Sequence, residues 1–286
     1  MTLVIKSGVS SGNTALPVLR RDPVLDGDNG GVKFLWDTAF DWCVPASAPT
    51  NGQTVKDISD HTDGSFLLAS GQTVTYAGGG YDLSGLTADP AAVVGGAGCL
   101  SSIHAGNQYF LVMFWAKLPS SADWNKSATL APMFTATDTQ AGYGGGAELV
   151  TLAQVNAPTL QARRQTNGGT TYDSRTVSPA IHYGLVSQVA YWRNASGQGL
   201  QIRSSAGTTT DTGAVGVANT GNFSAKLPRW GVPEAYNSIA TDANHANAHN
   251  TRIYRGMVED LEVSGRNPVD VLAADYAFVT GLNRYS

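Results

Sequence analysis

Charge is scarce in this chain. Asp, Glu, Lys and Arg supply 14% of its 286 residues, and the formal net charge is −4. Solvent-facing helices usually carry Lys and Glu, so this shortage argues against a helical protein. There is no basic excess, which excludes the electrostatic footprint of a nucleic-acid partner. Cysteine is nearly missing. Cys43 in "DWCVP" and Cys99 in "AGCLS" are the only two, too few for a disulfide framework, and they read as free, buried thiols. No apolar run is long enough to cross a bilayer. The longest, "YFLVMFWA", has the length of a strand, so membrane insertion is not expected. The opening "MTLVIKSGVSSG" has neither a basic n-region nor an extended h-region, so no secretory leader is expected either. No repeat of fixed period occurs, which excludes a solenoid or propeller.

What is abundant is turn chemistry: Gly occurs 33 times, among many Ser, Thr and Asn. With 42% hydrophobic residues, the chain can bury a sizeable core, and the composition favours strands joined by turns. Residues 1–30 form a separate arm in this reading, because their apolar side chains follow no period that would hide them within the segment. Residues 31–286 then form the body.

Within the body, "QYFLVMFWAKL" (108–118) reads as a central strand buried on both faces. "APTLQARRQT" alternates, with Leu160 and Ala162 facing inward. "LVSQVAYWR" and "LQIRSS", joined by "NASGQG", read as a hairpin. "RIYRGMVEDLEVSG" reads as a late strand ending at Gly265. The one helix expected covers 268–281, capped by Asn267, with Pro268 in its first turn and Asp270 near its positive end. Its expected apolar stripe is Val269, Leu272, Ala273, Tyr276 and Val279. An all-β chain with one terminal helix implies a two-sheet sandwich.

The order of segments then resembles a known family. "FLWDTAFDW…NGQTVKDISDHTDGSFLLASGQTVTYAGGGYDLSG", the strand "QYFLVMFWAKLP", the hairpin "LVSQVAYWRNASGQGLQIRSSAG" and the closing "YRGMVEDLEVSGRNPVDVLAADY" resemble, in order, the segments of a laminin-G-like (concanavalin A-like) domain. The resemblance spans residues 31–282. It implies an antiparallel jelly-roll sandwich, here with an extended N-terminal arm and a C-terminal helix. The fold hosts binding modules, structural coats and glycosidases, so function has to come from the site.

Glu259, Asp260 and Glu262 are the first catalytic candidates. On a strand, Glu259 points with Leu261 and Val263, while Asp260 points with Val258 and Glu262. Glycosidases of this superfamily resemble "E-x-D-x-x-E", and Leu261 breaks that pattern. Retaining hydrolysis needs two carboxyls about 5–5.5 Å apart; Asp260 with Glu262 is the only same-face pair, and geometry alone does not exclude it, but the broken pattern at Leu261 speaks against it. The acids therefore read as architecture: Glu259 bonded to a neighbouring loop, Asp260 and Glu262 solvated, and no enzyme.

Metal candidates are weak. Asp57, Asp60 and Asp63 in "KDISDHTDG" lack the alternating ladder and terminal Glu of an EF-hand loop, although laminin-G-like domains often hold calcium in loops. Asp242, His245 and His249 in "TDANHANAHN" lack a fourth ligand. No cofactor is expected. For glycan stacking the candidates are Trp36, Trp42, Trp124 and Trp230, with Trp192 behind them and Trp115 assigned to the core.

The arm carries Leu3, Val4, Ile5, Leu16, Val18 and Leu19 for docking, with Arg20 and Arg21 for an acidic neighbour. A Gly-rich sandwich with such an arm and no catalytic set resembles bacteriophage virion proteins that display a laminin-G-like domain on the tail, baseplate or capsid. This implies a structural subunit made in the host cytoplasm and located in the virion. Its expected partners are other virion subunits, further copies of itself and a host surface glycan. The alternatives are a free lectin-like carbohydrate-binding module and, third, a glycosidase.

Overall fold

A computed structural model describes residues 22–87, 90–124, 131–137, 146–155, 159–169, 171–232 and 250–286. The expected all-β sandwich is what forms, from two antiparallel eight-stranded sheets. At the middle of the first sheet, β16 (Arg252–Asp260) lies between β7 (Phe110–Lys117) on one side and β1 (Val32–Asp37) with β5 (Gly80–Asp82) on the other. Beyond β5 lies β4 (Thr75–Ala77), and beyond β7 come β12 (Val186–Asn194), β13 (Gly197–Ser204) and β14 (Gly207–Gly213).

The second sheet runs β11 (Tyr172–Val177), β10 (Thr159–Gln165), β9 (Thr151–Val155), β8 (Ala131–Thr137) and then β15 (Leu227–Val232). It continues through β6 (Ala91–Val94) and β3 (Gly64–Leu68) to β2 (Thr54–Val55). The chain passes repeatedly from one sheet to the other, as at β5 to β6 to β7 and at β14 to β15 to β16. This is a jelly-roll connection pattern. Among the described residues the helices are few: α1 (Ser101–Ala105), α2 (Ser121–Trp124), α3 (Leu261–Ser264) and α4 (Pro268–Gly281).

Between the sheets, the core centres on Trp230. Its ring lies 5.6 Å from Phe34, 6.1 Å from Trp36 and 5.4 Å from Phe134. Gly256 on β16 makes room for this cluster. A Cβ there would sit 2.4 Å from Trp36 Nε1 and 2.7 Å from Trp230 Nε1, so the strand needs a glycine to carry two indoles across it. Cys43 and Cys99 are free and buried, as expected, and burial pushes each thiol up to about 12.

The first sheet is also covered on its outer face. Leu35, Leu111, Met113, Ala190 and Met257 pack there beneath Val24, Leu261, Val271 and Leu272. Helix α4 occupies the expected residues and has the expected cap: Asn267 Oδ1 accepts from Val269 N at 3.0 Å, and Pro268 stands in the first turn. Its buried face differs from the expected stripe. Pro268, Val271, Leu272, Asp275 and Val279 face the sheet, while Val269 and Ala273 are exposed. The face is rotated because the helix brings a carboxylate, Asp275, inward to meet charge on the sheet. Each buried Val or Leu on this helix contributes about 1.5–3 kcal/mol.

The chain from Asp22 onward also belongs to the body. The turn Pro23–Leu25 places Val24 at 1% exposure against α4, and the Asp22 side chain is buried as well. The docking residues Leu3, Val4, Ile5, Leu16, Val18, Leu19, Arg20 and Arg21 lie outside the described residues.

Candidate functional site

The acids near the C-terminus are all engaged in structure. Strand β16 stops at Asp260, five residues before the expected end at Gly265, because Asp260 caps a helical turn. Its Oδ1 accepts from Glu262 N at 3.1 Å and Val263 N at 3.3 Å, satisfying donors that a helix start leaves open. Asp260 is thus a buried cap and not a solvated strand residue, and Glu262 stands on α3 instead of on the strand. Glu262 accepts from Asn107 N and Nδ2, each at 2.6 Å. Glu259 is fully buried and bonds Arg266 Nε at 2.8 Å, in the loop expected to hold it.

The aspartates of "KDISDHTDG" are used in the same way. Asp57 accepts from Leu35 N at 2.9 Å, from Ser59 N at 3.0 Å and from His61 N at 2.9 Å. Asp63 pairs with Lys56 at 2.5 Å, and that bond holds its carboxyl below the usual range. Asp60 takes a positive φ of 65° in the turn between them. These side chains organise the turn through backbone donors and Lys56. Among the described residues, no group of three or more His, Cys, Asp or Glu side chains is placed to hold a metal. Asp242, His245 and His249 lie outside the described residues.

The tryptophans separate sharply. Trp36, Trp124 and Trp230 are at 0% exposure, so these three stacking candidates present no ring face to a ligand and serve as core instead. Trp115 and Trp192 are buried too, and Trp192 lies over Gly199, where a Cβ would fall 2.2 Å from its ring. Trp42 is different: it is 60% exposed.

The loop that carries Trp42 is fixed at many points. Asp37, the last residue of β1, accepts from Ala39 N at 2.7 Å. Thr38 donates its hydroxyl to Gly79 O at 2.5 Å and Tyr254 O at 2.9 Å, and accepts at its own carbonyl from Tyr76 at 3.1 Å. Cys43 N and Val44 N both bond Phe40 O, closing a tight turn around Trp42. The side chain of Phe40 lies 5.8 Å from Trp42 and backs the indole. Behind Phe40, the Arg284 guanidinium sits 4.7 Å from its ring and 4.2 Å from that of Phe278. The result is an aromatic ledge on a held loop, with Asp41 exposed beside the indole.

Beneath the ledge lies a buried polar centre that sequence reasoning missed. Arg255, fully inaccessible, pairs with Asp22 at 2.6 Å, Asp37 at 2.9 Å and Asp275 at 2.9 Å. Asp37 also accepts from Arg284 at 2.5 Å and from the Tyr285 hydroxyl at 2.8 Å. Asp275 accepts from Trp115 Nε1 at 2.7 Å and Gln188 Nε2 at 2.8 Å. Burial pushes the Asp275 carboxyl above its ordinary value, against the opposing pull of Arg255. For Arg255, burial is outweighed by Asp275, Asp22 and Asp37, and its proton is held well above the usual range. The readable signal was Arg255 itself, a cation inside the apolar run "IYRGMV", which has to find buried partners. Asp37 is the joint between this centre and the Trp42 loop.

No family model and no curated protein matches the chain. Solved structures align with parts of the chain at low identity and with TM-scores below 0.5. A sialidase CBM40 from Ruminococcus gnavus, bound to α2,6-sialyllactose, is 13% identical over 69% of this chain and 93% of its own, with a TM-score of 0.41. The CBM2 module of the evolved Dit of Lactobacillus casei phage J-1 is 11% identical over 80% and 95%, with a TM-score of 0.43. The tailspike protein 2 of Escherichia coli O157:H7 bacteriophage CAB120 is 12% identical over 55% of this chain and 21% of its own, with a TM-score of 0.36.

Proposed function

We propose that this chain is a non-catalytic, lectin-like glycan-binding module whose sugar platform is the Trp42 ledge. The observation that carries this reading is the 60% exposure of Trp42 on a loop held on both flanks by the Thr38 bonds and the Phe40 turn. An exposed indole on a mobile loop would lose entropy on stacking a sugar. One already held by Phe40 and the Thr38 and Cys43 bonds has less to lose. The exposed aromatic face supplies apolar contact for a pyranose ring, and the exposed Asp41 carboxylate accepts from its hydroxyls. We place the module on a bacteriophage particle, with residues 1–21 as the docking segment; the apolar and basic side chains of that segment support this placement.

A glycan array probed with the intact chain and with Trp42→Ala tests the platform. Binding to a defined subset of glycans, lost in Trp42→Ala without a change in melting temperature, is expected. Retained binding in the variant, or no binding by the intact chain, overturns the site. Co-purification with assembled particles tests the placement, and a glycan-binding chain that stays apart from particles is a free module instead.

A further inference from the structure

The buried indoles of this protein are not alike. Trp115 Nε1 bonds Asp275, and the Nε1 atoms of Trp36, Trp124 and Trp230 are sealed from solvent. Trp192 is also more than nine-tenths buried, at 6% exposure, and its N–H has no partner among the described residues, yet that N–H stays open to solvent. The side chain lines a cleft of about 370 Å³ on the outer face of the first sheet. The turn joining β12 to β13, the end of β14 and the start of α4 form its walls. Trp192 stands in register with Gly199 and Thr212, and the missing Cβ of Gly199 lets the indole lie across β13 toward Thr212.

Two side-chain amides line the same cleft with their donors unused. Asn194 Oδ1 accepts from Ser196 N at 2.9 Å and Gly197 N at 3.1 Å, and Asn267 Oδ1 accepts from Val269 N at 3.0 Å. Backbone donors thus fix both oxygens, and neither NH2 group bonds a described residue. The start of α4 offers nothing to an anion. Pro268 has no N–H, and those of Val269, Asp270 and Val271 are all bonded to Asn267. No charged side chain lines the cleft among the described residues, and Asp270 stands exposed in the first turn of the helix. What remains is three neutral N–H donors beside an apolar patch, where Val269 is 49% exposed next to Pro268.

We propose that this cleft is a binding site for a neutral acetamido sugar. The acetamido carbonyl accepts from the unused donors of Trp192, Asn194 and Asn267, its methyl lies against Val269, and the Ser196 and Thr212 hydroxyls meet ring hydroxyls. A plain sugar presents hydroxyls that also need acceptors, and both amide oxygens here are already occupied, so the carbonyl sets the preference. The volume suits one sugar unit, since small-molecule sites begin at roughly 300 Å³. The site is distinct from the Trp42 ledge. Trp192 pairs with Leu111 at the end of the sheet where β16 reaches Glu259, whereas the Trp42 loop leaves β1 beside Arg255.

Titration of the 15N-labelled full chain with N-acetylglucosamine, glucose and N-acetylglycinamide, followed at the assigned Trp192 Nε1–H resonance, tests this. N-acetylglucosamine should shift that resonance and bind at least about tenfold more tightly than glucose, which lacks the carbonyl, or N-acetylglycinamide, which lacks the ring. Asn267→Asp and Asn194→Asp each keep the oxygen that holds the backbone and remove the NH2 donors. Each should weaken N-acetylglucosamine by about tenfold without lowering the melting temperature. Equal affinity for glucose, equal affinity for N-acetylglycinamide, an unmoved Trp192 resonance, or full affinity in both variants overturns the proposal. Trp42→Ala should leave this binding unchanged, so failure of the ledge and failure of the cleft are read separately.

Discussion

Arg255 Nη2 and Asp275 Oδ1 meet at 2.9 Å with neither side chain accessible to solvent. One belongs to the central strand of the first sheet and the other to the C-terminal helix, so α4 is docked by a charge pair as well as by its apolar face. The same guanidinium reaches Asp37 at the root of the Trp42 loop. Helix, sheet and ledge therefore share one buried cation.

Removing that cation should be costly. Arg255→Met leaves Asp22, Asp37 and Asp275 buried without their common partner, and breaking a buried pair costs about 3–5 kcal/mol. Leu272→Ala, on the same helix at 1% exposure, should cost about 2–5 kcal/mol through the cavity it leaves. Urea unfolding measures both. Adding Asp275→Leu to Arg255→Met should recover part of the loss, because it removes one uncompensated charge. An Arg255→Met chain within about 1 kcal/mol of the parent would mean that the centre contributes little.

Truncation should reveal where the body begins. A chain starting at Gly31 lacks Asp22 and Val24, so Arg255 loses a partner at 2.6 Å and the second apolar layer loses a buried side chain. A chain starting at Asp22 keeps both. The melting temperature of the first should fall well below that of the second, and equal values would show that residues 22–30 merely lie on the surface.

Much of this fold was legible because strand and helix signals are local. The run at 110–117, the hairpin around Ala195 and the capped helix 268–281 all announce themselves in residue type and period. The helix face was not legible. The expected stripe of Val269, Leu272, Ala273, Tyr276 and Val279 did not include Asp275, which turns inward to pair with Arg255 on the sheet. The end of β16 was missed for a related reason: as a cap, Asp260 reads as just another strand acid until the turn after it is seen. The tryptophans show the limit for the site. Trp36 and Trp42 stand six residues apart, and nothing local distinguishes the one under the second sheet from the one in solvent.

Asp260 and Glu262 should differ on mutation. Asp260→Ala removes acceptors for Glu262 N and Val263 N and should cost about 0.5–2 kcal/mol. Glu262→Gln keeps an oxygen for Asn107 N and should change stability by less than about 0.5 kcal/mol. Thermal melts compare them. A β-glucan-cleaving activity lost in Glu262→Gln with an intact fold would overturn the structural assignment of these acids.

The last expectation concerns His182 and mild acid. This side chain is buried in the loop before β12, with Nδ1 2.8 Å from Ser204 Oγ on β13 and Nε2 3.0 Å from Thr209 Oγ1 on β14. It therefore ties that loop to two strands of the first sheet. Burial pushes its pKa below the ordinary 6.5, because a charged imidazole would lose its hydration there. In the unfolded chain the ring takes a proton near pH 6.5, so the unfolded state binds more protons just below that value. The stability contributed by the neutral ring is complete above about pH 6.5 and is lost as pH falls through the lower, folded pKa. His182→Gln keeps a donor and an acceptor for the two hydroxyls but does not titrate. Urea midpoints followed from pH 7.5 to 5 should fall more steeply for the parent than for His182→Gln, and the difference should open below about pH 6.5. Parallel curves would mean that His182 takes up its proton in the folded state as readily as in the unfolded one.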